Sequence, residues 1–130
     1  MSGEWVGSVR VGAVSSCMST RPGLRVLDAA RMVVDDVNRL LASGLPNARQ
    51  VREATESISA NIQEGFGRDV GPDRNQFLRF ARASAEETNE RLRTRFAAED
   101  IPANVYWPLH HRLIAIVRML TNLMSDGKGQ

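Results

Sequence analysis

The sequence predicts an all-α protein, an antiparallel four-helix bundle connected up-down-up-down. Three observations predict it. Four segments carry apolar residues at spacings of three and four. Short stretches containing glycine or proline separate them. No segment alternates apolar and polar residues at the strand period. Connections this short place consecutive helices side by side and antiparallel.

Residues 1–23 show no helical period and end in Arg21-Pro22-Gly23, which reads as a flexible N-terminal leader. The first helix is expected over 24–41, with Leu27, Ala30, Val34, Val37 and Leu41 as its inner stripe. Gly44 suits a left-handed cap, and Pro46 cannot continue a helix. The second helix is expected over 47–64, buried through Val51, Thr55, Ile58 and Ile62. Gly65-Phe66-Gly67 is expected to close it with a backbone reversal, Phe66 folding back onto the bundle end.

The third helix, 72–98, opens with Pro72 in its first turn and Asp73 at the positive end of the helix dipole. Phe77, Ala81, Ser84, Thr88 and Leu92, widened by Ala85 and Phe96, are its expected inner face. The fourth helix, 103–124, repeats Tyr106, Leu109, Leu113, Ile116, Leu120 and Leu123, with a second apolar row of Ile114, Val117 and Met124. One row suffices for a bundle core, so the second is expected to form an oligomer interface. Residues 125–130 read as a disordered tail. The bundle proper is therefore 24–124.

At 130 residues, 42% of them hydrophobic and 25% charged, the chain has room for one domain with one core. No apolar run approaches the roughly 20 residues that cross a bilayer, because Arg118 interrupts the longest candidate. A cytoplasmic protein with no membrane role is the expectation. Cys17 is the single cysteine, which excludes an internal disulfide and a four-cysteine metal site. Val14-Ser15-Ser16-Cys17 has the outline of a lipoprotein cleavage site. Glu4 and Arg10, however, interrupt the apolar segment that a signal peptide needs, so Cys17 reads as a reduced thiol in the leader.

Catalysis needs a nucleophile with a base, paired carboxylates in a cleft, or a metal. His110 and His111 are neighbours, point about 100° apart on a helix and cannot chelate one ion together. Glu-x-x-His pairs, which a di-iron bundle requires, do not occur. Gly65-Phe66-Gly67 lacks both a preceding strand and the Lys-Ser/Thr of a phosphate-binding loop. The expectation is no enzyme, no cofactor and no metal.

Polar residues group in two places. Ser57, Asn61 and Glu64 flank the second helix, opposite Ser84 and Glu87 of the third. They read as a structural hydrogen-bonded layer that sets helix register, the alternative being a ligand pocket. The charge is carried by 16 arginines and one lysine for a net +2. Arg79, Arg82 and Arg93 lie on the outer face of the third helix, Arg68 and Arg74 near its start, and Arg91 and Arg95 on the other flank. Guanidinium groups bind phosphate bidentately, so these seven are candidate nucleic-acid contacts. Against that stand the helix-spaced pairs Arg82–Glu86, Glu87–Arg91 and Glu90–Arg93, which describe a solvated charged face.

Residues 56–68 read Glu-Ser-Ile-Ser-Ala-Asn-Ile-Gln-Glu-Gly-Phe-Gly-Arg, and 75–84 read Asn-Gln-Phe-Leu-Arg-Phe-Ala-Arg-Ala-Ser. This pattern resembles the signature of the four-helix-bundle proteins encoded in intervening sequences of bacterial large-subunit rRNA genes. The matching positions are Ser57, Ile58, Ala60, Asn61, Ile62, Glu64, Gly65, Gly67 and Arg68, then Phe77, Phe80, Ser84 and Glu87. Arg52 matches a basic position before the motif and joins the expected polar layer. The resemblance spans about residues 24–124. Ser59 replaces the family's proline, Leu27 a frequent tryptophan and Ala83 a glycine.

The same fold resembles the accessory variability determinant of diversity-generating retroelements, a homopentamer that binds nucleic acid and a reverse transcriptase. The resemblance implies a homopentamer without enzymatic activity. Its implied partners are RNA or DNA and a reverse transcriptase. A protein-interaction scaffold with no nucleic-acid role is the competing expectation.

Overall fold

A computed structural model describes residues 22–128, and the leader positions 1–21, Cys17 among them, lie outside the described residues. Four helices occur among the described residues: α1 Pro22–Leu41, α2 Ala48–Phe66, α3 Pro72–Ala97 and α4 Ala103–Lys128. No strand occurs among the described residues. α2 packs on α1 and α3, and α4 packs on α3 and α1. Each helix thus has two neighbours around one apolar core, an all-α bundle-like arrangement. No helix among the described residues is long and apolar enough to cross a membrane.

Three ends differ from expectation by two residues or more, α2 running on to Phe66. Helix α1 begins at Pro22, inside the expected leader, because proline's fixed φ suits the first helical position. Helix α4 runs to Lys128, so most of the expected tail is helical.

The inner faces are rotated slightly from those read off the sequence. On α1 the buried residues are Val26, Ala30, Val33, Val37, Leu40 and the expected Leu41, while Leu27 and Val34 are half-buried. Two apolar rows one residue apart share Ala30 and Val37, and periodicity cannot choose between them. Packing against both α2 and α4 does. On α3, Leu78 is fully buried and Phe77 sits at the edge. Asn75 is buried as well, a position no apolar pattern signals. On α2, Val51, Thr55, Ile58 and Ile62 are all buried, as the sequence predicts. The Thr55 hydroxyl donates to the Val51 carbonyl at 2.6 Å, which satisfies it without a partner from another helix.

Gly65 does not reverse the chain. It is helical and buried, and a Cβ built on it would lie 3.1 Å from Leu78 Cδ2 and 3.3 Å from Phe77 Cβ. Its missing side chain lets α3 approach α2. Gly67, at φ −79°, is likewise in ordinary right-handed conformation. The reversal falls instead at Gly71, φ 150°, immediately before Pro72. Phe66 does pack onto the bundle end. Gly44, at φ 97°, follows the end of α1, and its N–H donates to the Leu41 carbonyl.

Candidate functional site

The expected polar layer is partly assembled. Ser84 Oγ donates to Ser57 Oγ at 2.9 Å, joining α3 to α2. Asn61 Nδ2 donates to the Ser57 carbonyl at 2.8 Å and to its hydroxyl at 3.0 Å. Thr88 Oγ1 donates to the Ser84 carbonyl at 2.8 Å. The remaining members sit apart from this chain. Glu64 and Glu87 are exposed and turn to Arg68 and Arg91, and Arg52 is exposed on the outer side of α2. Their sequence spacing put them near the layer. Their long side chains instead carry the charges out to water, where solvation costs nothing. Above the two serines is an open cavity of about 290 Å³, rimmed by Glu53, Glu87 and Arg91.

Four of the seven candidate arginines are engaged by carboxylates. Arg68 bridges Glu64 and Asp73, each at 3.1 Å, and lies over the Phe77 ring at 4.4 Å. Its hydrogen bonds to Asp73 first and Glu64 second hold the guanidinium above its ordinary pKa. Arg91 pairs with Glu87 at 2.9 Å and Arg95 with Asp100 at 3.1 Å. Arg93 pairs with Glu90, whose hydrogen bond raises its pKa likewise. The Glu87–Arg91 and Glu90–Arg93 pairs are those the helix spacing suggests.

The other three behave differently. Arg82 turns from Glu86 and donates to Thr121 Oγ1 on α4 at 3.2 Å. Arg74 reaches the Leu123 carbonyl on α4 at 3.3 Å and lies over the Phe66 ring at 5.3 Å. Arg79 is exposed. Among the described residues, none of these three has a carboxylate within salt-bridge distance. Arg118 on α4 joins them. It is exposed, it lies one turn before Thr121, and it too has no carboxylate partner among the described residues. Sequence reasoning passed over Arg118 because it appeared only as a break in an apolar run. Its position three residues before Thr121 is the signal that was available, but only the Arg82 contact gives it meaning.

A second grouping was not foreseen. Phe96 stacks on Tyr106 with ring centroids 4.2 Å apart and planes 4° from parallel. Trp107 stands across both, and His110 and His111 lie beside it. His110 Nδ1 is 3.1 Å from Asn89 Oδ1 on α3. The spacing Trp-x-x-His-His puts these rings on one side of α4, a signal legible in the sequence once the helix is assigned. No group of three or more metal-ligating side chains occurs among the described residues.

The expected oligomer row needs correction at one position. Met124 is only 6% exposed and belongs to the subunit's own core, because α4 continues past it and turns it inward. Val117 is half-buried against that core, and Ile114 is half-buried. Among the described residues, the exposed large apolar side chains are Met32, Val70, Phe80 and Trp107, none of them in that row.

A family model described as 23S rRNA-intervening sequence protein matches residues 23–122. No curated protein matches the chain.

Proposed function

The chain belongs to the 23S rRNA-intervening sequence protein family, and on that premise we propose that it is a non-enzymatic, oligomeric protein that binds RNA or DNA. The supporting observation is the cluster of Arg79, Arg82 and Arg118, with Arg74 beside it. These guanidinium groups face solvent or neutral acceptors on α3 and α4 rather than carboxylates. A guanidinium free of an internal carboxylate keeps its donors for phosphate.

The bundle in this proposal is antiparallel, up-down-up-down. Arg74 at the start of α3 meets Leu123 late in α4, and Gly65 late in α2 lies against Leu78 early in α3. Assembly as a homopentamer would repeat a modest cluster around a ring, which multiplies phosphate contacts without a strongly basic subunit. Service as an accessory factor to a reverse transcriptase is the narrowest form of the proposal. Its support is the resemblance in fold to the retroelement accessory protein.

Filter binding at low salt with structured RNA and with single-stranded DNA tests the reading. Retention at micromolar protein is expected. Arg79→Ala, Arg82→Ala and Arg118→Ala should each weaken binding and reduce the slope of log affinity against log salt by about 0.7–0.9. No retention of either nucleic acid overturns it. A monomer mass by light scattering removes the pentamer and its composite surface.

A scaffold reading draws on a different observation, the engagement of Arg68, Arg91, Arg93 and Arg95 by carboxylates. A partner captured by the intact protein and retained after nuclease treatment would favour it.

A further inference from the structure

Helices α3 and α4 pack side by side. On α4, Trp107, His111, Arg118 and Thr121 fall on one stripe, at spacings of 4, 7 and 3. On α3, Arg82, Asn89 and Phe96 fall on another, at spacings of 7 and 7. Three contacts tie the two helices together along their length. Arg82 bonds to Thr121, Asn89 meets His110, and Phe96 packs its ring against Tyr106 and Trp107. The guanidinium cluster therefore lies towards one end of the seam and the aromatic group at the other. Fourteen residues of α3 separate Arg82 from Phe96, about 21 Å of helix.

Trp107 is the unusual member. The chain has only two tryptophans, and this one leaves 45% of its surface exposed. Phe96, Tyr106 and His110 meet it at interplanar angles of 75°, 71° and 88°, so none of the three lies parallel to the indole. They brace it edge to face. Tyr106, stacked on Phe96 and only 2% exposed, anchors the group to the core. His111 lies beside the indole at 34° with ring centroids 6.2 Å apart, and 45% of the Trp107 surface stays exposed among these rings. Six aromatic side chains occur among the described residues, and three of them gather here with both histidines. In a protein so poor in rings, such a concentration calls for a use beyond filling space.

We propose that Trp107 is a stacking platform for an unpaired base of a single-stranded nucleic acid whose phosphates run along the surface of the α3–α4 seam to Arg82 and Arg118. The inference rests on the nucleic-acid reading above and adds to it the strandedness and the site. A single open ring matches the area of one base. It is far smaller than the roughly 800 Å² per partner of a stable protein interface. Stacking is also tolerant of sequence, because every base presents a π-face. The nearby Glu90 carboxylate is engaged by Arg93. Glu86, between Arg82 and Asn89 on the α3 stripe, is the anionic group the strand would have to pass.

Binding of an oligothymidine of about 20 nucleotides to the full chain in a Trp5→Phe background, where Trp107 is the only indole, tests the proposal. The strand should quench the indole fluorescence. Trp107→Ala should weaken binding by roughly 5- to 150-fold, the range for loss of one stacked base. Trp107→Phe should recover most of it, and Glu86→Gln should tighten it. Met32→Ala removes an equally exposed apolar side chain from α1 and should leave affinity unchanged.

Unaltered affinity of Trp107→Ala overturns the platform while leaving nucleic-acid binding by the arginines intact. Failure of the parent protein to bind any nucleic acid overturns both. Equal binding of a duplex of the same length overturns the single-strand assignment. If Trp107→Ala loses its helical circular dichroism, quenching in the parent decides alone: an unquenched indole under saturating strand overturns the platform.

Discussion

Glu99 occupies the position after the last turn of α3 at φ 66°, in the left-handed region. The Asp100 N–H donates to the Arg95 carbonyl at 2.9 Å and the Glu99 N–H to the Phe96 carbonyl at 2.9 Å. This is the Schellman pattern, which normally places glycine where Glu99 stands. A Cβ crowds the carbonyl there, at a cost of about 1 kcal/mol. Glu99→Gly should therefore raise the midpoint of thermal unfolding by a few degrees, measured by circular dichroism at 222 nm; an unchanged or lower midpoint contradicts this account. Asn47, at φ 60° before α2, is another non-glycine residue with positive φ, and asparagine tolerates that region well. Among the arginines, local partners decide the available chemistry. Arg68 and Arg93 are held by hydrogen bonds to carboxylates, whereas Arg82 is held by a hydroxyl.

At the scale of elements, the most extensive packing is that of α2 and α3. Gly65, Ala81 and Ala85 are all buried, and small residues there bring the helix axes together. The Ser57–Ser84 bond lies midway along the same pair, and a slip of either helix by one residue would break it. Gly65→Val would put a branched side chain where even a Cβ lies 3.1 Å from Leu78. We expect a loss of about 1–3 kcal/mol in urea unfolding, the usual cost of overpacking. Stability equal to the parent's would mean that α2 and α3 can separate freely at this end. Helix α4 carries Pro108 within it and still continues to Lys128. Pro108 offers no N–H to the Asn104 carbonyl four residues back, and both residues are exposed, so water can satisfy that carbonyl.

For the whole molecule, binding and stability are expected to respond differently to salt. The ion pairs of α3 lie near the surface: Arg93 and Glu90 are 63% and 62% exposed, and Arg91 and Glu87 are 39% and 52% exposed. Pairs of that kind contribute little, because water screens them and ordering two long side chains opposes them. The core is aliphatic, built on residues such as Ile58, Leu92, Leu113 and Ile116. The unfolding midpoint should therefore move little between about 50 and 200 mM salt. Nucleic-acid affinity should fall steeply over the same range, since bound phosphates release counterions. A midpoint that drops in parallel with affinity would show that the surface pairs hold the fold together.

The number and kind of elements were legible in the sequence because they depend on local periodicity and on breakers such as Pro46, Pro72 and Pro102. Which row of each helix turned inward was less legible. Val26 and Leu27 are equally good apolar candidates until two neighbouring helices take their places. The site was less legible still. Charge at helical spacing marked out Arg91 and Arg93, and their carboxylates lay in the same helix. The partners of Arg74, Arg82 and Asn89 are on α4, between 21 and 49 residues away along the chain. By itself the sequence determined an all-α chain with its four amphipathic helices. Only the tertiary structure decided which arginines stay free of carboxylates and that Trp107 stands exposed among its aromatic neighbours, because both depend on contacts between residues remote in sequence.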